Sequence, residues 1–228
     1  MVAAVELELS EPWASDGEKP DADRAPSARL SVADVLTLGN AVCGFASVCF
    51  TTTEVLIPYL TGEREAGKLR QGAAAAVMLV LPASLFDLCD GLVARRFRSS
   101  GMGAELDNLS DLISFGLSSA YFVAVRGITN ETSHLGLVAA AVAVLLAGLL
   151  RLARFSCTTM RDGVFQGMPI PFAALTVFSV VLLDLPFFLV LLGVVTVAWL
   201  MVSNVEYPKP SGRWALPAVC WIVANVGA

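Results

Sequence analysis

The chain has 228 residues, of which 56% are hydrophobic and only 15% charged, with a mean hydropathy of +0.72. Soluble domains carry about a quarter charged residues, so this composition excludes a soluble globule and indicates an integral membrane protein. The net charge of −5 is misleading: Glu6, Glu8, Glu11, Asp16, Glu18, Asp21 and Asp23 against Lys19, Arg24 and Arg29 put −4 on residues 1–30, leaving −1 for the rest. The folded part therefore has no charge bias that repels anionic lipid, and no nucleic-acid partner is expected.

Residues 1–30 are acidic and rich in Pro, Ser and Ala. They cannot bury a core and are expected to form a disordered cytoplasmic tail. They lack the basic start and apolar stretch of a secretory signal. A membrane domain is expected over 31–210, and a short apolar segment over 211–228. Six apolar segments follow the tail in order: Val35–Thr53, Gly72–Phe86, Leu112–Val125, Leu135–Leu150, Gly163–Leu183 and Leu185–Val205. A spanning helix needs about 20 mostly apolar residues, and the second, third and fourth segments reach that only by including their polar ends. The expected fold is an all-α integral membrane protein, a bundle of about six transmembrane helices. Trp214–Val226 contains Pro217 and reads as an extra short interfacial or partly inserted helix.

Cys43, Cys49, Cys89, Cys157 and Cys220 are odd in number and lack metal-type spacing, so free buried or lipid-facing thiols are expected. His134, the single histidine, sits beside a predicted loop and gives a Ser-His-Asp mechanism little support. Asn130-Glu131-Thr132 spells a glycosylation sequon that nothing else in the chain supports. Positive residues set the orientation. Arg24 and Arg29 precede the first helix, Arg95, Arg96 and Arg98 follow the second, Arg151, Arg154 and Arg161 follow the fourth, and Lys209 and Arg213 follow the sixth. Six crossings put all of these, and the N-terminus, in the cytoplasm. Arg64, Lys68 and Arg70, mixed with Glu63 and Glu65, fall on the other side.

The chemistry concentrates in Asp87-Leu88-Cys89-Asp90-Gly91-Leu92-Val93-Ala94-Arg95 and Gly103-Ala104-Glu105-Leu106-Asp107-Asn108-Leu109-Ser110-Asp111. Asp87 and Asp90 are i, i+3, while Gly103, Asp107 and Asp111 form one helical stripe. Carboxylates near a bilayer are expensive and need a function or a partner. An ion-pair network would explain one Asp with Arg95, but not four facing one Arg. Four at this spacing suggest two facing helices that hold divalent metal and a polyphosphate. Hard cations such as Mg²⁺ and Mn²⁺ take oxygen ligands. Asp87, Asp90 and Asp107 are the expected metal ligands. Asp111 is the best candidate base, with a metal contact as a second possibility.

The run resembles the signature of the CDP-alcohol phosphatidyltransferases, D-x2-D-G-x2-A-R followed by G-x3-D-x3-D, and every signature residue is present. The resemblance implies displacement of CMP from a CDP-alcohol by an acceptor hydroxyl, with Mg²⁺ or Mn²⁺ as cofactor (two ions per site) and a homodimer. It makes the last aspartate, Asp111, the base. It places the cytidine diphosphate against Gly91, Ala94 and Gly103, which helix packing alone also accounts for, with Arg95 on a phosphate or on Asp87 and Asp90. Thr37 and Asn40 are expected nucleotide contacts, or else interhelical hydrogen bonds.

Three stretches resemble the phosphatidylserine synthase branch: Leu36-Thr37-Leu38-Gly39-Asn40-Ala41-Val42-Cys43-Gly44, Glu105 to Gly116, and Arg151-Leu152-Ala153-Arg154-Phe155-Ser156 with Gly167-Met168-Pro169-Ile170-Pro171. The branch usually has Ser where Asn108 stands and Asn where Ser156 stands. The implied substrates are CDP-diacylglycerol and L-serine, within membrane lipid. Arg151 and Arg154 are candidates for the serine carboxylate, or for anchoring a helix end among headgroups. Pro169 and Pro171 are expected to shape the start of the fifth helix. Inositol phosphate, glycerol phosphate or choline as acceptor, an ion-coupled transporter and a lipid-binding scaffold are the alternatives.

Overall fold

Ser31 starts the first helix. Its hydroxyl accepts from the Asp34 amide at 3.3 Å, and the Asp34 carboxylate accepts from the Ser31 amide at 2.7 Å, closing a capping box. This cap sets the start at Val32, three residues before the apolar run begins. The helix, α1 (Val32–Thr61), passes through a π-helical turn at Thr52–Leu56 and stops at Gly62, whose φ of 91° is left-handed.

The computed structural model describes residues 30–96, 101–129, 134–157, 164–183 and 185–208. After α1 come α2 (Ala66–Met78 and Val80–Arg96, interrupted only at Leu79), α3 (Gly103–Thr129, with a π-helical turn at Leu112–Leu117) and α4 (His134–Cys157). These four helices are long and apolar enough to cross a membrane. The last two, α5 (Ile170–Leu182) and α6 (Phe187–Val202), have 13 and 16 residues. At 1.5 Å per residue they are about 20 and 24 Å long, short of a hydrocarbon core of about 30 Å.

The shortfall against the six expected spans has local causes. Gly163–Leu183 does not form one helix. Val164–Gln166 is a strand, β1, and Gly167 follows in the left-handed region at φ 79°. Pro169 then sets the extended entry to α5, with Pro171 in its first turn, as expected of these prolines. β1 pairs antiparallel with β2 (Glu206–Pro208), Gln166 opposite Glu206, which ends α6 before Val205. This two-stranded pair is the departure from an all-α layout among the described residues. His134 is the first residue of α4, and the loop expected beside it lies outside the described residues. The tail, the sequon, Arg98, Arg161, Lys209, Arg213, Cys220 and Trp214–Val226 lie outside the described residues.

The buried core joins α2 to α6: Val77 and Val80, Phe115, Phe122 and Val123, Leu137 and Val144, Ile170 and Phe178, and Val194. Phe122 and Phe178 meet edge to face at 5.2 Å. Gly116 on α3 and Gly148 on α4 let the helices close around Ile170, whose Cδ1 would lie 3.8 and 3.3 Å from a Cβ at each. Outside, Val42, Phe45, Leu146, Phe188, Leu192 and Trp199 are exposed. That is the arrangement of helices solvated by lipid. Cys49 and Cys157 are exposed free thiols and Cys43 and Cys89 half-buried ones.

Alternating helix direction defines two ends. The start of α1, the ends of α2, α4 and α6 and the starts of α3 and α5 share one end. The Arg154 Nη1 bond to Asn204 Oδ1 (3.3 Å) ties α4 to the chain beyond α6 there. All four aspartates stand at that end.

Candidate active site

Asp87 and Asp90 project from the last turns of α2, and Asp107 and Asp111 from the first turns of α3. One carboxylate oxygen from each of Asp87, Asp90 and Asp107 lies within 4.8 Å of the others. Asp90 and Asp111 are buried, while Asp87 and Asp107 are half-buried. Asp111 stands beside this trio, in electrostatic contact with all three.

Two side chains of α1 hold the carboxylates. Thr37 Oγ1 donates to Asp90 Oδ2 at 2.7 Å, and Asn40 Nδ2 donates to Asp111 Oδ1 at 3.1 Å. Thr37 Oγ1 also lies 3.0 Å from the Ala33 carbonyl, but its single proton favours the shorter, charged acceptor. Both residues are fully buried, so the structure gives them the interhelical hydrogen bonds named as the alternative to a nucleotide contact.

The cluster suits a divalent cation. Its donors are hard oxygens, and Asp107 Oδ1 is buried with no hydrogen-bond partner. Two ionised carboxylates about 5 Å apart repel by roughly 3 kcal/mol even at an effective dielectric of about 20, so three together call for positive charge. Arg151, on α4, supplies some of it. It is in electrostatic contact with Asp111 and Asp87, and its Nε is buried without a partner. Arg154, one turn on, is exposed and bonded to Asn204. Of the two arginines, Arg151 is the more buried one, in described contact with the aspartates.

Gly91 is exposed, and a Cβ there would meet nothing within 4 Å. Helix packing does not account for it among the described residues. Gly103 is the first residue of α3, after Met102. Ala94 and Arg95 continue α2, and their side chains lie outside what the structure describes.

A family model described as CDP-alcohol phosphatidyltransferase matches residues 30–205. The chain belongs to that family. It is thus a membrane enzyme of the CDP-alcohol phosphatidyltransferase class. It is 31% identical over 205 residues to an archaetidylserine synthase of Methanothermobacter thermautotrophicus, spanning 86% of this chain and 77% of the relative. It is 29% identical over 195 residues to a CDP-diacylglycerol–serine O-phosphatidyltransferase of Bacillus subtilis, spanning 79% of this chain and 96% of the relative. A protein of the same description from Methanocaldococcus jannaschii is 36% identical over 132 residues, spanning 58% and 62%.

In this phosphatidyltransferase, three site residues had no role assigned from sequence. Ser110 Oγ donates to the Thr37 carbonyl at 2.7 Å, and Ser114 Oγ donates to the Asn40 carbonyl at 2.8 Å. Each serine of α3 thus clamps the backbone of the α1 residue that holds an aspartate. Gly44 permits the clamp: a Cβ there would lie 2.5 Å from Ser114 Oγ and 2.7 Å from its Cβ, and closer still to its Cα. The three lie inside the stretches that resemble the serine branch, which was the available signal. Finally, Asn108 Nδ2 donates to Ser156 Oγ at 2.9 Å. The two departures from the branch pattern touch each other.

Proposed function

We propose that this chain transfers a phosphatidyl group from CDP-diacylglycerol to the hydroxyl of L-serine, giving phosphatidylserine and CMP. The convergence of the Asp87, Asp90 and Asp107 carboxylates within 4.8 Å beside Asp111 carries the reading. The names of the relatives support the substrates.

In this reading Asp87, Asp90 and Asp107 hold the cation site, with Asp111 as a further contact. Mg²⁺ or Mn²⁺, two ions per site, supplies neutralisation of the pyrophosphate and of the departing phosphate. Asp111 takes the proton from the serine hydroxyl. The Asn40 bond occupies Oδ1, and in this reading Oδ2 is the oxygen that takes the proton. The serine oxygen forms its bond to the lipid-side phosphorus, the bond from that phosphorus to the bridging oxygen breaks, and CMP leaves with the electron pair. Arg151 binds the serine carboxylate, with Arg154 at the outer edge of the pocket. Gly91, Ala94 and Gly103 give the cytidine diphosphate room, and Arg95 pairs with a phosphate. Thr37 and Asn40 act on the nucleotide through the carboxylates they hold.

In this reading the shorter α5 and α6 also cross, by local thinning of the bilayer, and six crossings put the site and the N-terminus in the cytoplasm. The basic residues that flank the aspartate end support this. A homodimer covers part of the exposed apolar faces. A second reading keeps the chemistry on an archaetidyl ether lipid, favoured by the match that covers most of this chain.

CMP release by the purified protein with Mn²⁺ tests the proposal, with diacyl and diether CDP-lipids and with serine, inositol phosphate, glycerol phosphate or choline. Release with serine, abolished in a folded Asp111→Asn protein, is expected. Wild-type turnover by that variant refutes the base. Release with another acceptor refutes the serine assignment, and cation flux in proteoliposomes without CMP would make the chain a transporter.

A further inference from the structure

Two close contacts between α3 and α4 hold Arg151 at the level of the aspartates. A Cβ on Gly148 would lie 3.9 Å from the Gly116 Cα, and Asn108 Nδ2 donates to Ser156 Oγ at 2.9 Å. Gly148 and Ser156 are eight residues apart on α4, and Gly116 and Asn108 are eight apart on α3, so the two helices run antiparallel in fixed register. In that register Arg151 stands two residues from the level of Asp111, about 3 Å along the axis. Its guanidinium is in electrostatic contact with Asp111 and Asp87, and its Nε is buried without a hydrogen-bond partner.

A half-buried guanidinium beside carboxylates acts in two ways. It lends positive charge to Asp87 and Asp111, and so competes with a cation for them. It also offers its donor fork to an incoming carboxylate, but an anion bound there lies beside the acidic cluster and is repelled by it. A divalent cation on the aspartates reverses both effects. The cation takes over their negative charge, the guanidinium loses its counter-charge, and the repulsion of a further anion is removed. We propose that Arg151 couples the two sites, so that the carboxylate of the acceptor binds only once a cation has replaced the guanidinium as the counter-charge of Asp87 and Asp111. The order of binding is then cation first, acceptor second. This coupling rests on the reading of Arg151 as the contact of the serine carboxylate, and it makes that contact conditional on the state of the aspartates.

The test is binding to the purified full chain in detergent with no CDP-lipid present, so that nothing turns over. Mn²⁺ affinity is read from the free-ion signal in electron paramagnetic resonance, and L-serine affinity by calorimetry with protein-free titrations subtracted. Mn²⁺ is expected to tighten serine about tenfold or more, and serine to tighten Mn²⁺ by the same factor. Ethanolamine keeps the hydroxyl and the ammonium but lacks the carboxylate, and should not be tightened. Arg151→Gln should bind Mn²⁺ more tightly than the unsubstituted chain, because a competing charge is gone, and should lose the serine factor. An arginine with a merely structural role predicts weaker Mn²⁺ binding instead. Arg151→Lys, which keeps the charge, should restore part of the factor. If Arg151→Gln does not fold, the factor in the unsubstituted chain and its absence with ethanolamine still decide. A serine factor below twofold in a chain that releases CMP with serine overturns the coupling and leaves the acceptor reading standing. The factor appearing with glycerol phosphate or inositol phosphate, and not with serine, overturns the serine reading and keeps the coupling. A factor equally large with ethanolamine, one retained in Arg151→Gln, or none with any acceptor overturns the coupling.

Discussion

Gly44→Ala offers the sharpest probe of how the site is held. The new methyl would sit 2.7 Å from Ser114 Cβ and closer to its Cα, where ordinary contact begins at 3.4 Å. The obstacle is backbone, not a flexible side-chain tip, so α1 has to move away from α3 by about 1 Å, at a cost of about 1–3 kcal/mol. The Ser114–Asn40 bond of 2.8 Å and the Asn40–Asp111 bond of 3.1 Å both cross this interface, one turn away. The same shift carries the second beyond hydrogen-bonding range. A displacement of about 1 Å at a reacting group costs on the order of a hundredfold in rate. The variant should therefore remain folded by size exclusion and thermal melting while CMP release falls about a hundredfold. Turnover within twofold of wild type would refute the claim that the α1–α3 approach positions Asp111.

Other substitutions divide the site by role. Thr37→Val removes the hydroxyl that holds Asp90 while keeping its shape, and should raise the Mn²⁺ concentration for half-maximal CMP release by about 10- to 100-fold with little change in the serine KM. Gly91→Leu fills space that no protein atom occupies; the melting temperature should hold while the KM for the CDP-lipid rises, and an unchanged KM would move the nucleotide elsewhere. Asn108→Ser and Ser156→Asn should each weaken turnover a few-fold, and the double exchange should restore it, a coupling of about 1 kcal/mol in a double-mutant cycle. Independent effects of the two would mean that the bond between α3 and α4 has no part in placing Arg151.

The aspartate site was largely legible in the sequence, because carboxylates in an apolar chain are expensive and their helical spacing admits few arrangements. The first four helices were legible from their uncharged runs. Their limits were not. Glu54 and three threonines in a row suggest an end, yet α1 continues to Thr61, since Thr52 and Thr53 bond back to the carbonyls of Val48 and Cys49. Thr52 also meets the Tyr121 hydroxyl on α3 at 2.7 Å. Ser114 falls on the stripe drawn through Asp107 and Asp111, but a lone serine carries no signal beside the aspartates, and its part shows only in the bond to the Asn40 carbonyl. The short α5 and α6 were read too long because apolar content alone does not show a strand. Long-range pairing made β1, and no local pattern encodes it.

The polar face of α1 bears on how the protein is made. Asp34, Thr37, Asn40, Gly44, Ser47 and Thr51 line the inward side, while Val35, Leu38, Val42 and Phe45 face out. A helix entering the bilayer alone would present Thr37 and Asn40 to hydrocarbon. Their carboxylate partners arrive only with α2 and α3, later in synthesis. Assembly of the aspartate end is therefore an association step that follows insertion, driven in part by the polar groups that then hold Asp90 and Asp111. A change on α1 that leaves every aspartate in place can still yield an inserted protein whose carboxylate cluster never forms.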